Sequence, residues 1–374
     1  MALLVFLLCS GLFHFTLTSH QLRIFYFKTT RSVWSEALEE CYENNESPVT
    51  LYDEEDEKFT YKFQESNRGP PPLWLGLSKS RNLTWSNGNN VNFTESLVNL
   101  TKGEQICEAI DNDTWTGYNC SEKKHFMCSK DDTYTLIEKE EDWCHALKYC
   151  RTHHSDLVSI HNETENGLVL EKGNNRSFWI GLMHDEWEWQ DKGCSSFRKW
   201  RPPTHFRLDS DEEKECTTYT NGEMDAQECD QLKNPFCSKG DMRIRVINKN
   251  FTWEEAFNYC ETEHSGLLSI EDKEDQYAVE QWLKFSEFSD GVGPFWIALR
   301  QSRVFGFWIW RDSVVSYKNW KNGSVPVPPS SHICGVISDK TDNYTWTDEN
   351  CLLRHPFLCE EEIVYMDKRY GFDG

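Results

Sequence analysis

One short motif occurs three times along this chain. Residues 34–41 read WSEALEEC, residues 143–150 read WCHALKYC and residues 253–260 read WEEAFNYC, so all three share the pattern W-x-x-A-x-x-x-C. These spacings place the Trp, Ala and Cys on one face of an α-helix. The three tryptophans lie 109 and then 110 residues apart. Such a period indicates a chain built from three similar units.

Each copy continues with the same sequence features in the same order. The runs WLGL (74–77), WIGL (179–182) and WIAL (296–299) are short and apolar, and we expect buried strands there. One or two further tryptophans follow, and then three cysteines close the copy. We therefore predict three domains, at residues 20–129 (repeat 1), 132–239 (repeat 2) and 241–360 (repeat 3), with a charged tail at 361–374.

The charge balance bears on the partners that this chain can have. It contains 62 acidic and 39 basic side chains, which gives a formal charge of −23. Proteins that bind nucleic acids need clustered Lys and Arg to neutralise phosphates, so we expect no nucleic-acid partner. Apolar residues make up 38% of the chain and aromatic residues 14%, which excludes a largely disordered protein.

The amino terminus predicts export from the cell. Residues 1–19 hold an apolar run and end in small polar residues, as a secretory signal peptide does, although a short buried helix is an alternative. No later stretch reaches the roughly 18 apolar residues of a membrane span. We expect a secreted, extracellular protein without a membrane span. Removing the leader takes Cys9 with it and leaves 14 of the 15 cysteines, an even number suited to disulfides.

The chain is also rich in N-glycosylation sequons. It has 11 N-x-S/T sites, of which we expect Asn45, close to Pro48, and Asn119, next to Cys120, to stay unmodified. An excess of sequons indicates a glycosylated surface. The predicted glycosylation sites are Asn82, Asn92, Asn99, Asn112, Asn162, Asn175, Asn250, Asn322 and Asn343.

The ordered set of landmarks resembles a known family. The W-x-x-A-x-x-x-C helix, the WIGL strand, the downstream Trp and the C…W-x-x-x-x-C…F-x-C ending are together similar to the C-type lectin-like domain. The resemblance implies an α+β fold in each repeat, with two helices flanking small antiparallel sheets and a long loop that carries the binding surface. Tandem copies resemble part of the ectodomain of macrophage mannose receptor-type proteins.

Nested disulfides are expected in each repeat, an outer one and an inner one. The expected pairs are Cys41–Cys128, Cys107–Cys120, Cys150–Cys237, Cys216–Cys229, Cys260–Cys359 and Cys334–Cys351. Cys144 and Cys194 remain, and we expect them to pair with each other. The alternatives for these two are free thiols or half of a zinc site with His145.

The resemblance also implies where calcium would bind. Sugar-binding members hold Ca²⁺ with a loop tripeptide such as E-P-N and with a W-N-D sequence, because the ion needs six to eight oxygen ligands. The W-N-D positions here read Trp115-Thr116-Gly117, Met224-Asp225-Ala226 and Trp346-Thr347-Asp348. Thr347 and Asp348 are relict candidates only, and Arg201 would repel an ion in repeat 2. We expect no cofactor and no calcium-dependent sugar binding.

Two polar stretches of the sequence suggest functions other than sugar binding. His153-His154-Ser155-Asp156 combines the residue types of a hydrolase, but neighbouring residues rarely form a triad, and we expect a solvated turn. The acidic run at residues 53–57 could bind cations, yet such runs are usually solvated loops. We therefore predict that the protein is not an enzyme.

Binding through the long loops is the function that remains. The loop of repeat 2 is rich in Arg and aromatic residues, which protein interfaces favour at their hot spots. Our candidate ligand contacts are Arg201, His205, Phe206 and Arg207. Two functions stay open: recognition of an extracellular glycan or protein without calcium, and a structural component of a matrix or coat in which the repeats act as disulfide-stabilised spacers.

Overall fold

The structure of the chain is a computed structural model. It describes residues 21–66, 72–80, 83–98, 104–131, 133–202, 215–286, 293–302, 304–311, 313–326 and 333–367. Within these ranges the chain forms six α-helices and three mainly antiparallel sheets. The α+β fold class predicted from the sequence is confirmed. No helix in the described ranges combines the length and the apolar character needed to cross a membrane.

The helices come in pairs, two for each repeat. Their bounds are α1 Trp34–Glu43, α2 Glu54–Ser66, α3 Trp143–His153, α4 Glu163–Gly173, α5 Trp253–Glu263 and α6 Lys273–Phe285. The first helix of each pair begins at the motif Trp. Asp142 and Thr252 cap two of these starts by accepting a hydrogen bond from the backbone N–H three residues later. The Ala and Cys of every motif are buried, as their helical spacing requires.

The strands, in chain order, are β1 Ile24–Phe27, β2 Ser47–Pro48, β3 Leu73–Lys79, β4 Gln105–Asp111, β5 Thr114–Asn119, β6 Lys124–Lys130, β7 Thr133–Glu141, β8 Asp156–Leu157, β9 Phe178–Asp185, β10 Trp187–Trp189, β11 Glu215–Thr220, β12 Glu223–Glu228, β13 Asn234–Lys239, β14 Met242–Phe251, β15 Gly266–Leu267, β16 Phe295–Gln301, β17 Trp308–Trp310, β18 Ser313–Val314, β19 Cys334–Ile337, β20 Trp346–Glu349 and β21 His355–Glu362. The three W-x-x-L runs lie on the buried strands β3, β9 and β16. Strands β14 to β21 all belong to one sheet, so repeat 3 keeps its own strands together, and we call it unit C.

Repeats 1 and 2 do not fold separately, because they exchange halves. Strand β3 of repeat 1 pairs with β10, β11 and β13 of repeat 2. Strand β9 of repeat 2 pairs with β4 and β6 of repeat 1. The packed bodies are therefore unit A, residues 21–80 with 187–241, and unit B, residues 83–186. The predicted ranges 20–129 and 132–239 describe repeats of the sequence, whereas packing follows these two composite units.

The turn between the paired strands gives a physical reason for the exchange. In unit C, Gln301 pairs with Trp308, so β16 and β17 form a local hairpin with six residues of sequence between this pair. The same register in repeat 2 would leave only Asp185 and Glu186 for the turn. Two-residue hairpin turns need a left-handed backbone and favour Asn-Gly, which Asp-Glu does not offer. The chain instead continues from β9 through a bend at Glu186 into β10, which pairs with β3.

Two of the expected disulfides differ for the same reason. The structure joins Cys41 to Cys237 and Cys128 to Cys150, in place of the expected Cys41–Cys128 and Cys150–Cys237. The exchange brings helix α1 against β13 and helix α3 against β6, so each helical cysteine meets the partner from the other repeat. The other disulfides in the structure are Cys107–Cys120, Cys144–Cys194, Cys216–Cys229, Cys260–Cys359 and Cys334–Cys351.

An aromatic core joins unit A to unit C. The rings of Phe59 on α2 and Trp282 on α6 stack with their centroids 4.6 Å apart. Gln281 holds the neighbouring backbone, since its amide accepts from the Phe25 N–H at 2.9 Å and donates to the Phe25 carbonyl at 3.0 Å. All four residues are buried. The two units therefore share one continuous hydrophobic core.

The expectation of a solvated loop at residues 53–57 was wrong. This run precedes and begins helix α2, where carboxylates interact favourably with the positive end of the helix dipole. Arg243 of unit C donates to Asp53 at 2.6 Å and to Asp56 at 3.1 Å. Asp56 also accepts from Arg23 at 3.3 Å, and its side chain is buried. The acidic run is thus part of an ionic network between units A and C.

The segment after β21 is packed against the other units. Val364 accepts a backbone hydrogen bond from Cys194 at 2.7 Å, and Met366 donates one to Lys192 at 2.6 Å. Arg151 of unit B donates to the Tyr365 carbonyl at 2.6 Å. The beginning of the predicted tail at 361–374 therefore ties unit C to units A and B, and residues 368–374 lie outside the described residues.

Candidate functional site

Arg201 lies at the start of the long loop of unit A. Its backbone N–H donates to the Met224 carbonyl at 2.8 Å, which places its side chain beside strand β12. The guanidinium donates from Nε to Glu223 Oε2 at 3.1 Å, and its Nη1 lies 3.6 Å from Asp225 Oδ2. Asp225 is the carboxylate at the W-N-D position of repeat 2. A cationic side chain thus already neutralises the acids that a calcium ion would need there.

Other members of the Arg-rich cluster have structural roles. Arg198 is largely buried and donates to Asp185 Oδ2 at 2.6 Å, while its guanidinium lies 5.4 Å from the ring centre of Trp189. Trp200 packs against Trp187 with ring centres 4.9 Å apart. These contacts anchor the loop and leave Arg201 as its first partly exposed candidate. The candidates His205, Phe206 and Arg207 fall in 203–214, outside the described residues.

Repeat 3 places its relict residues on strand β20. Thr347 lies opposite Val336 and Asp348 opposite Gly335 of β19, and both are partly exposed. Throughout the part of the chain that the structure describes, no three His, Cys, Asp or Glu side chains come close enough to hold a metal ion. One carboxylate and one hydroxyl are far fewer than the six to eight oxygen ligands of Ca²⁺. This donor set does not fit the ion.

Unit B contains a buried polar cluster that the sequence analysis missed. Glu108 Oε1 accepts a hydrogen bond from His184 Nε2 at 2.9 Å, and the Ser96 hydroxyl contacts both groups. Both Ser96 and Glu108 meet the same ring nitrogen, so the imidazole cannot pass a proton from one to the other as in a catalytic triad. Glu108 lies on β4 of repeat 1 and His184 on β9 of repeat 2. Only the exchange of halves brings these two residues together, and no short sequence motif indicates their contact.

In the stretch from His153 to Asp156, the first three residues are exposed or partly exposed at a helix end and bend, as we expected, whereas Asp156 is not solvated. Asp156 is buried, and its carboxylate accepts from Arg151 Nε at 3.0 Å and from the Ser86 hydroxyl at 2.5 Å. The ring of His153 stacks on Tyr149, 4.3 Å away, and lies apart from that carboxylate at the surface. Asp156 therefore stabilises the contact of β8 with residues 85–88.

A cleft lies where the chain crosses between units A and B. Its volume is about 450 Å³, and its walls come from Ser80, residues 84–88, residues 183–195 and the segment after β21. Trp85 and Trp187 supply apolar surface, while Glu188 and Lys192, which are ion-paired, supply charge. Clefts with aromatic walls and a few polar groups are common ligand sites. Trp187 also contacts Trp200, so the cleft adjoins the Arg201 loop.

The predicted glycosylation sites are exposed wherever the structure describes them. The described sites are Asn92, Asn112, Asn162, Asn175, Asn250, Asn322 and Asn343. Asn82 and Asn99 lie outside the described residues. The side chain of Asn119, which we expect to stay bare, accepts hydrogen bonds from the backbone and the hydroxyl of Ser121.

Curated relatives cover different parts of the chain. C-type lectin 1 of Hydrophis hardwickii is 34% identical over 29% of this chain and 66% of its own length. C-type mannose receptor 2 of Rattus norvegicus is 22% identical over 91% of this chain and 27% of its own length. The secretory phospholipase A2 receptor of Homo sapiens is 22% identical over 61% of this chain and 17% of its own length. The chain thus spans less than two thirds of each of these relatives.

Among solved structures, human lithostathine is similar at 26% identity over 32% of this chain and 82% of that chain, with a TM-score of 0.29. The mouse scavenger receptor C-type lectin carbohydrate-recognition domain is 28% identical over 33% of this chain and 89% of its own, with a TM-score of 0.27. The sequence profile of the Lectin C-type domain matches residues 30–130, 139–239 and 249–361, which together make up most of the chain. The chain therefore belongs to the C-type lectin family and carries three of its domains in tandem.

Proposed function

We propose that the chain is an extracellular, non-enzymatic recognition protein that binds a carbohydrate or protein ligand without calcium. The observation that carries this proposal is the guanidinium of Arg201, held between Glu223 and Asp225. A cation-binding site in repeat 2 would first have to displace this positive charge. Repeats 1 and 3 support the same conclusion, because their W-N-D positions retain one carboxylate between them, that of Asp348.

The proposed ligand surface is the long loop of unit A. Arg201 is partly exposed at its start, and His205, Phe206 and Arg207 continue it in the sequence. Arg and aromatic residues contribute large apolar area and directional hydrogen bonds, which suits either a sugar ring or a protein epitope. Trp200 anchors this loop through its contact with the wall of the neighbouring cleft.

An extracellular location is supported by the apolar leader, the sequons and the disulfides. Seven of the predicted glycosylation sites have exposed side chains, so an oligosaccharide can be attached without disturbing the core. The structure contains seven disulfides, which form and persist in oxidising compartments. We propose a secreted, glycosylated protein on this basis.

The purified chain on a glycan array, run in parallel with calcium and with chelator, tests the proposal. We expect the same binding in both conditions, and we expect Arg201→Ala to weaken it. Arg176→Ala is the matched control, since Arg176 is an exposed ion-paired arginine of unit B. Binding that disappears with chelator contradicts calcium independence. A blank array excludes the tested glycans and leaves a protein ligand, to be tested with the same two variants.

A structural component of a matrix or coat is the second candidate. The aromatic core between units A and C and the Cys144–Cys194 disulfide between units B and A favour it, because they give the three units fixed contacts. Such a spacer would need no ligand surface. Arg201→Ala would then leave every interaction of the protein unchanged, which distinguishes this function from recognition.

A further inference from the structure

Unit C exposes apolar side chains at the turn between β16 and β17 and on β18. The exposed fractions are 82% for Val304, 73% for Phe305, 42% for Phe307 and 62% for Val314. The two Phe rings stack in parallel with centroids 5.5 Å apart. Contiguous apolar surface of this kind marks an interaction site in soluble proteins.

The strand register extends this surface into one side of the sheet. Arg300 pairs with Ile309, and Ile309 pairs with Val314, so these three side chains project from the same side. Trp308 and Trp310 alternate with Ile309 and project into the core, where they are buried. We call the outer side, with Val304, Phe305, Phe307, Ile309 and Val314, the hairpin face.

The other repeats show that the fold does not require this apolar turn. At the corresponding place repeat 1 has the sequon Asn82-Leu83-Thr84, and repeat 2 has only Glu186 between β9 and β10. A turn that accepts a glycosylation sequon faces solvent and contributes nothing to the core. The apolar residues in repeat 3 therefore need an explanation other than folding.

Several backbone groups of this turn are hydrogen-bonded within it. Ser302 N–H donates to the Phe307 carbonyl at 2.8 Å, and Gly306 N–H donates to the Ser302 carbonyl at 2.9 Å. Gln301 Nε2 donates to the Gly306 carbonyl at 2.7 Å, and Phe305 N–H donates to the Ser302 hydroxyl at 3.3 Å. Most loops cannot enter the hydrocarbon region of a membrane, because their unpaired backbone N–H and C=O groups find no hydrogen-bond partner there. The four bonds reduce the number of unpaired groups that this turn would carry into such an environment.

The charge around the hairpin face is opposite to that of the chain. Residues 300–321 hold five basic side chains and one acidic, Asp312, in a chain of charge −23. Among the described ones, Arg311 and Lys321 are ion-paired with Glu360 and Asp342, whereas Arg300 and Lys318 have no ion-pair partner. The acids Glu271 and Glu360 line a pocket with Trp310, on the other side of the sheet. Arg300 projects from the same side of the sheet as Ile309 and Val314, and it therefore places an unpaired positive charge at this face.

We propose that the hairpin face docks on a phospholipid surface that carries anionic headgroups. Val304, Phe305 and Phe307 would insert below the headgroups, while Arg300 and Lys318 would lie against the phosphates. A lipid surface accounts for the exposed phenylalanines, which have no polar group to direct a specific contact, and for the unpaired Arg300 beside them in the strand register. This proposal does not depend on the ligand loop of unit A.

Co-sedimentation of the full chain with vesicles tests the proposal. We expect binding to phosphatidylcholine vesicles that contain phosphatidylserine, weaker binding to phosphatidylcholine alone, and a decrease with added salt. The double variant Phe305→Ser, Phe307→Ser should bind at least about tenfold more weakly, because two apolar side chains no longer leave water. Arg300→Gln with Lys318→Gln should reduce the preference for phosphatidylserine.

Leu352→Ser is the matched control, because Leu352 is 78% exposed outside the hairpin face, and it should bind as the wild type does. Melting temperatures should stay unchanged in all variants, since every substituted side chain is exposed or partly exposed. Absence of wild-type binding to either vesicle overturns the proposal, as does equal binding of the double variant. Equal binding to both vesicle compositions overturns the role of the anionic headgroups. If the wild-type chain self-associates but does not bind vesicles, and the double variant abolishes this association, then a second copy of the chain occupies the hairpin face instead.

Discussion

Cys41 on helix α1 is disulfide-bonded to Cys237 on strand β13, 196 residues later. The bond joins the first half of one sequence repeat to the second half of the next. Its counterpart, Cys128–Cys150, spans only 22 residues across the junction between the repeats. These two bonds close units A and B, so repeats 1 and 2 cannot be separated into independent domains without breaking them.

Disulfide mapping by mass spectrometry of a non-reduced digest tests the exchange of halves. We expect peptides that link Cys41 to Cys237 and Cys128 to Cys150. Reduction should release both pairs, and Cys260–Cys359 of unit C serves as the internal control because no exchange affects it. Peptides that link Cys41 to Cys128 would show that each repeat folds by itself.

Trp282→Ala should destabilise the protein strongly. The indole is buried between units and stacks on Phe59, so its removal leaves a cavity in the shared core. Large aromatic-to-alanine substitutions at such sites cost about 3–5 kcal/mol of unfolding free energy. Calorimetry should show a lower melting temperature, whereas Tyr277→Ala on the exposed side of the same helix should change it little. Equal effects of the two variants would mean that units A and C do not share a core in solution.

Arg243→Ala should be far more damaging than Arg201→Ala. Arg243 contacts Asp53, Asp56 and Glu361 in a largely buried network, and its loss leaves those carboxylates without their main cation. Breaking buried ion pairs in this way costs about 3–5 kcal/mol. The partly exposed ion pairs of Arg201 are worth less than about 1 kcal/mol. Denaturant unfolding measures both, and a reversed order would contradict the burial seen at the unit interface.

The stability of the chain should decrease as the pH rises from about 5 to about 8. Burial raises the pKa of Glu360 to about 7, despite its contact with Arg311. The folded state therefore binds this proton more tightly than the unfolded state, whose glutamate pKa is about 4.3. The stabilisation is complete below that value and is lost as the pH rises through 7. Asp275, with a pKa raised to about 6 by burial, adds to the same trend.

Glu361 has the opposite effect at low pH. Arg243, His264 and Arg245 outweigh the cost of its burial and hold its pKa at about 2. Its stabilisation is present above the ordinary glutamate pKa and is lost as the pH falls toward 2. Melting temperatures measured across pH should therefore peak near about pH 5. Glu360→Gln should flatten the decline above the peak, while a substitution at the exposed Glu254 should leave the profile unchanged.

Glycan mapping of the chain from a secreting animal cell should find oligosaccharide at the nine predicted asparagines. Enzymatic release in heavy-oxygen water, followed by mass spectrometry, identifies each occupied site. Asn45 and Asn119 should be unmodified, because Asn45 lies close to Pro48 and Asn119 precedes Cys120. Recovery of an unglycosylated chain from the cytosol would contradict export.

The sequence by itself determined the elements and their order. Apolar spacing and caps place the helix starts, as at Trp143 behind the capping side chain of Asp142, because these interactions act within a few residues. The buried WIGL-type strands and the pairing of nearby cysteines such as Cys107 and Cys120 follow from local pattern as well. The α+β class and the family were therefore predictable.

Only the tertiary structure decided which halves pack together. Repeats 1 and 2 carry equivalent helices, strands and cysteines, so a local pattern cannot say whether Cys41 meets Cys128 or Cys237. The contact between Glu108 and His184 depends on that choice. The acidic run at 53–57 lies in an interface for a related reason. The arginines that neutralise Asp53 and Asp56 include Arg243, which is almost 190 residues away in the sequence. Long-range pairing between similar segments is settled by turn geometry and shared burial, which no short stretch of sequence contains.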